Sequence, residues 1–105
     1  MNEERVGAVF TALADPTRRH VVATLARQQS ATPTSLAAQL PMTRQAVTKH
    51  LVTLSAAGLV APERVGRETR YALTPGGLTD AAAWMAEVGA QWDGRLERLH
   101  RLLAG

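Results

Sequence analysis

Residues 32–58 read TPTSLAAQLPMTRQAVTKHLVTLSAAG, and this stretch decides the fold. Thr32-Pro33 is a helix start: the Thr hydroxyl can accept from free backbone amides, and Pro suits the first helical position, where its missing N–H would be unpaired anyway. The short helix it opens carries Leu36, Ala37 and Leu40, and Pro41 stops it. Thr43 caps the next helix, whose Val47, Leu51 and Leu54 recur at i, i+4 and i+7. Gly58 supplies the left-handed residue that ends many helices. Two short helices separated by Pro41-Met42 predict a tight helix-turn-helix over residues 33–57.

Upstream, Val6, Val9, Phe10 and Leu13 fall on one face of a first helix ending near Ala14. Asp15-Pro16 repeats the cap-plus-proline signal and starts a second helix to Arg27, with Val21, Val22 and Leu25 inward. Arg18 and Arg19 are expected to be solvated. Downstream the period changes. Residues 59–73 are rich in Val, Thr and Tyr and are broken by Gly66-Arg67, as in a type II′ hairpin turn. A two-residue loop pairs Val65 with Glu68 and sets Glu63 opposite Arg70 as an ion pair; Pro62 puts the ribbon at an edge. Thr74-Pro75 opens a last helix over residues 75–103, striped by Ala81, Trp84, Val88, Trp92, Leu96, Leu99 and Leu103.

Composition narrows the function. The 105 residues suffice for one core, and domains of this size bury most of the surface that their unfolded chains expose. With no cysteine, disulfides, thiolate zinc sites and Cys nucleophiles are excluded. The chain shows no leader pattern and no apolar run approaching the roughly 18 residues of a membrane span, so a cytoplasmic protein without membrane contact is expected. Charge is unevenly placed: residues 43–73 hold five basic and two acidic side chains, against four and three before them and three and four after them. The whole excess of +3 therefore sits on the middle third, as a phosphate-binding surface requires.

An α-helix fits the major groove of B-DNA, and the second helix of a helix-turn-helix presents its N-terminal half to base edges. Here that helix turns Leu51 and Val47 inward and leaves Thr43, Arg44, Gln45, Thr48, Lys49 and His50, nearly all donors or acceptors. Gln45 suits adenine, Arg44 suits guanine or phosphate, and Lys49 suits phosphate. His50 lies beside the buried stripe and is read as a phosphate contact. Arg64, Arg67 and Arg70 surround the hairpin turn, where arginine can follow the backbone or enter the minor groove. Because Arg70 faces Glu63, Arg64 and Arg67 are the stronger candidates.

ADPTRRHVVATL (14–25), SLAAQL (35–40), TRQAVTKHLVTLSAAGLV (43–60) and GRETRYALT (66–74) strongly resemble the ArsR (arsenic-repressor) family of winged helix-turn-helix regulators, in that family's order and spacing. WMAEVGAQWDGRLERLHRLL (84–103) is most similar to the metal-independent, autorepressor-type members. The likeness covers nearly the whole chain. It implies a mainly α fold with a small β-hairpin (α-α-α-α-β-β-α), a dimer through the first and last helices, and repression. By position, Gln45, Thr48 and His50 match polar recognition-helix residues, and Gly66-Arg67 matches the wing tip. Pro41, where many such motifs have Gly, ends its helix by a different device.

The expected partners are double-stranded DNA and a second copy of the chain, with room for an unassigned small-molecule effector and no cofactor. Val6, Phe10, Trp84, Val88, Trp92, Leu96 and Leu99 need an apolar partner that the rest of so small a chain does not supply. Asp93, Glu97 and His100 share a helix face, but three ligands without a second histidine make a poor zinc site, and a Glu97–Arg101 ion pair is the expected arrangement. No nucleophile motif or phosphate loop suggests an enzyme. The competing reading is a winged-helix module that binds protein or small ligand and not DNA; it calls for an acidic or apolar face where this chain has TRQAVTKH.

Overall fold

The computed structural model describes residues 3–104. In chain order it contains α1 (Glu3–Leu13), α2 (Pro16–Gln28), β1 (Ser30–Ala31), α3 (Pro33–Gln39), α4 (Arg44–Ala56), β2 (Val60–Val65), β3 (Glu68–Leu73) and α5 (Pro75–Ala104). This is the expected mainly helical order with a β-hairpin, plus one short strand.

The helix starts follow from local chemistry. Asp15 accepts from the Thr17 amide at 2.7 Å, Thr32 from Ser35 at 3.0 Å and Thr43 from Ala46 at 3.1 Å, with Pro16 and Pro33 opening α2 and α3. Each cap satisfies a backbone donor that the helix itself leaves unpaired. Arg18 and Arg19 are not merely solvated. They donate to Ala12 and Leu13 carbonyls at the end of α1, so the start of α2 closes the helix before it. At the end of α4, Gly58 has φ +77°, its amide donates to Ser55 O, and Leu59 N donates to Leu54 O at 2.9 Å. That pair of bonds is a Schellman closure, and Leu54 and Leu59, which accompany it, are both fully buried.

The three strands form an antiparallel sheet in the order β1-β3-β2. Val65 pairs with Glu68 and Glu63 with Arg70, the expected register, while Gly66 at φ +62° and no positive φ at Arg67 fit the type II′ turn. Pro62 lies on β2, an edge strand. The added strand β1 covers the other side of β3, pairing Ser30 with Ala72 and Ala31 with Tyr71. Two residues carry no periodicity, which is why the sequence did not reveal it.

One core joins α1, α2, α3, α4 and the base of the sheet through Val9, Val21, Leu25, Leu36, Val47, Leu51, Leu54 and Leu59. The first turn of α5 docks on the closure of α4: Thr74 donates its hydroxyl to Gly58 O at 2.7 Å, and a Cβ on Gly77 would sit 2.8 Å from that same oxygen. Thus Gly77, which reads as a weakness inside a helix, is required by close approach. Farther on, Ala81 is buried and Trp84 meets Phe10 edge-on with centroids 5.5 Å apart. Thirty helical residues span about 45 Å, so α5 runs well beyond the body in a molecule measuring 67 × 27 × 20 Å. Among the described residues no helix is long and apolar enough to cross a membrane.

Candidate nucleic-acid interface

The α4 helix divides cleanly into two faces. Val47, Leu51 and Leu54 are fully buried, whereas Thr43, Arg44, Gln45, Thr48, Lys49 and Val52 are exposed. Anchoring by three apolar residues fixes the rotation of the rod, and that rotation turns the polar residues to solvent. Ala37 of α3 is half-buried against the same core, where the two helices meet.

Individual side chains carry distinct chemistry. Thr48 donates its hydroxyl to Arg44 O at 2.9 Å, so the oxygen that remains is an acceptor, suited to an exocyclic amine on a base edge. Gln45, Lys49 and Arg44 stand exposed on the outer face. His50 is only half-exposed and lies within electrostatic reach of Asp15, the cap of α2. The Thr17 amide above all, then the Arg18 amide and guanidinium and the charge of His50, hold that carboxyl below the usual carboxylate range against partial desolvation.

The hairpin forms the second wall. Thr32, the cap of α3, with Pro33, Thr34 and Ser35 in its first turn, Arg44 and Thr48 of α4, and Arg67, Glu68 and Thr69 of the wing line one open cleft of about 610 Å³. A cleft whose two cations approach from different elements and whose rim bears several hydroxyls can seat a phosphate between them. Thr34 and Ser35 did not stand out in the sequence; hydroxyls in the first turn after a Thr-Pro start were the available signal. Arg64 and Arg67 are exposed, with Arg64 Nε donating to Gly66 O at 3.2 Å across the turn.

Arg70 is placed differently. Its register partner is Glu63 as expected, yet its guanidinium turns away from Glu63 and toward β1 and Glu68. The reason is the strand that the sequence hid: β1 offers Ser30 on the far side of β3.

The apolar residues expected at an interface fall into two groups. Val6 is 4% exposed and already packed inside the chain, and Phe10 is half-buried against Trp84. Val88 is half-buried, but Trp92, Leu96 and Leu99 are each more than half exposed along α5. The expected Glu97–Arg101 ion pair is not formed. No group of three or more His, Asp or Glu among the described residues is placed to hold a metal ion.

A family model described as a helix-turn-helix domain matches residues 13–63. The HTH-type transcriptional regulator CmtR of Mycobacterium tuberculosis (strain ATCC 25618 / H37Rv) is 38% identical over 88 residues, covering 84% of this chain and 74% of that protein. An ArsR-like transcriptional regulator from Rhodococcus sp. RHA1 superposes with a TM-score of 0.84 at 39% identity, over 95% of this chain and 93% of that one. The homodimeric winged helix-turn-helix DNA-binding domain Mb0332 from Mycobacterium bovis superposes with a TM-score of 0.65 at 27% identity, over 86% and 80% of the two chains. These are regulators and not enzymes. With an exposed polar recognition helix, an arginine-tipped wing and this degree of likeness, the chain belongs to the ArsR family of winged helix-turn-helix DNA-binding transcriptional regulators.

Proposed function

We propose that the protein is a cytoplasmic repressor that binds a palindromic operator as a homodimer, each protomer laying α4 in the major groove. Gln45 and Thr48 read base edges, and Val52, an apolar group on the polar face, suits a thymine methyl. Arg44, Lys49, His50, Arg64 and Arg67 hold phosphates or the minor-groove edge. The observation that carries this reading is the exposure of the outer face of α4 over a fully buried inner face.

Dimerisation is supported by two independent arguments. The stripe of Trp92, Leu96 and Leu99 is bare in one chain, and apolar surface of that kind marks an interaction site. One helix making three or four base contacts at about 1–3 kcal/mol each supplies about 3–12 kcal/mol of discrimination, and the lower end falls short of the about 4–10 kcal/mol by which specific sites are typically preferred. Two-fold symmetry doubles the contacts without new chemistry. Repression over activation is supported by the likeness to the ArsR (arsenic-repressor) family.

Fluorescence anisotropy on DNA from the region upstream of the protein's own gene, measured across a salt series, tests the proposal. Sequence-specific binding at physiological salt with a steep negative slope of log affinity against log salt is expected. Absent or salt-insensitive binding supports a winged-helix module for protein or small ligand instead.

A further inference from the structure

Three of the five N–H donors of the Arg70 guanidinium are engaged within the chain. Its Nε donates to Ser30 Oγ at 3.0 Å, Nη2 to Ser30 O at 3.3 Å, and Nη1 to Glu68 Oε2 at 3.1 Å. Arg64 and Arg67, by contrast, are exposed at the hairpin tip. From these contacts we infer that Arg70 is not a DNA contact but a positioning residue, a latch that ties the wing to the connector between α2 and α3 and so sets the width of the cleft that receives the phosphate.

The connectivity explains why a latch at this place matters. Ser30 and Ala31 lead directly into Thr32, the cap of α3, and from there into Thr34 and Ser35 on one wall of the cleft. Arg70 lies two residues along β3 from Glu68 and close to Arg67, which form the opposite wall. A hairpin carrying its turn at the far end is weakly held by its own ladder, because two-stranded ribbons are marginal in isolation. Strand β1 pairs only with Ala72 and Tyr71, at the base of β3. Arg70 extends that attachment one residue toward the tip by a side chain where no backbone pair exists. Bidentate donation to one serine and a third bond to a carboxylate fix the guanidinium plane, which a point charge such as Lys cannot reproduce. The wing then meets the duplex already positioned, and less conformational freedom is lost on binding.

This inference rests on the DNA-binding reading, but one of its tests does not. In the free protein, amide hydrogen exchange across residues 68–72 should accelerate in Arg70→Met and in Ser30→Ala, with circular dichroism unchanged. Unaltered exchange in both variants overturns the latch whether or not DNA binds. On operator DNA, Arg70→Met should weaken affinity about three- to tenfold through lost preorganisation, with the salt slope unchanged. Arg67→Met should lower that slope by about one unit, as loss of one phosphate contact does. Ser30→Ala should weaken binding in the same sense, and the Arg70→Met/Ser30→Ala double variant should be no weaker than Arg70→Met alone. If Arg70→Met reduces the slope as Arg67→Met does while Ser30→Ala is neutral, Arg70 touches phosphate and the inference fails. If the wild-type protein binds no DNA, the functional reading fails and the exchange experiment alone decides the latch.

Discussion

The α4 and α5 helices are both amphipathic rods, yet they treat their apolar sides in opposite ways. In α4 the stripe of Val47, Leu51 and Leu54 is sealed and the polar side is bare. In α5 burial stops at Ala81, and Trp92, Leu96 and Leu99 stand in solvent. Hydrophobic spacing specifies which side of a helix is apolar; it does not specify whether the cover comes from the same chain. For α4 the cover is α3 and the core, and for α5 the cover proposed above is a second copy.

The contrast can be broken by substitution. Leu51→Ala should cost about 2–5 kcal/mol, the range for emptying a fully buried leucine site, with the loss read in urea unfolding and insensitive to protein concentration. Leu96→Glu should leave the fold intact and raise the dimer dissociation constant about 30-fold or more, the equivalent of about 2 kcal/mol at an interface hot spot. Sedimentation velocity across a concentration series reads this directly. An unchanged profile would reject the assignment of the bare stripe to a partner copy.

A third substitution probes the junction where the two regions meet. Gly77→Ala drives a methyl to 2.8 Å from the Gly58 carbonyl oxygen, so α5 must shift against the end of α4. A loss of about 1–3 kcal/mol is expected from such overpacking, whereas Gly76→Ala, with nothing near its Cβ, should be tolerated. The smallest effect is electrostatic. The Asp15 carboxyl is held below its ordinary value in the folded chain, so its contribution is present above the unfolded pKa of about 3.9 and is lost as pH falls through the lower folded value. Asp15→Asn keeps an acceptor for the Thr17 amide but removes that titration. The gap in melting temperature between wild type and Asp15→Asn should close as pH drops below about 4; a gap independent of pH would contradict it.

What the sequence made legible was local. Asp15, Thr32 and Thr43 cap helices because the acceptor lies within three residues of its donor, and Gly66-Arg67 turns because a glycine there relieves a left-handed constraint. The recognition-helix side chains were legible for a similar reason, since three buried neighbours on one helix fix where Gln45, Thr48 and Lys49 must face. What stayed hidden depended on distant chain. Strand β1 is two residues long, and without it nothing drew Arg70 away from Glu63. The need for glycine at position 77 depends on the docking of α5 against Gly58. The burial of Val6 depends likewise on packing that periodicity alone does not show.

The central claim is that the bare side of α4 reads sequence while the wing supplies anchorage. Anisotropy titrations of Gln45→Ala and Arg67→Ala on an operator and on single-base variants of it test this most directly. The account predicts that Gln45→Ala loses discrimination at one base position, worth about 1–3 kcal/mol, while Arg67→Ala weakens every duplex by a common factor. Equal losses for both variants on every sequence would contradict it.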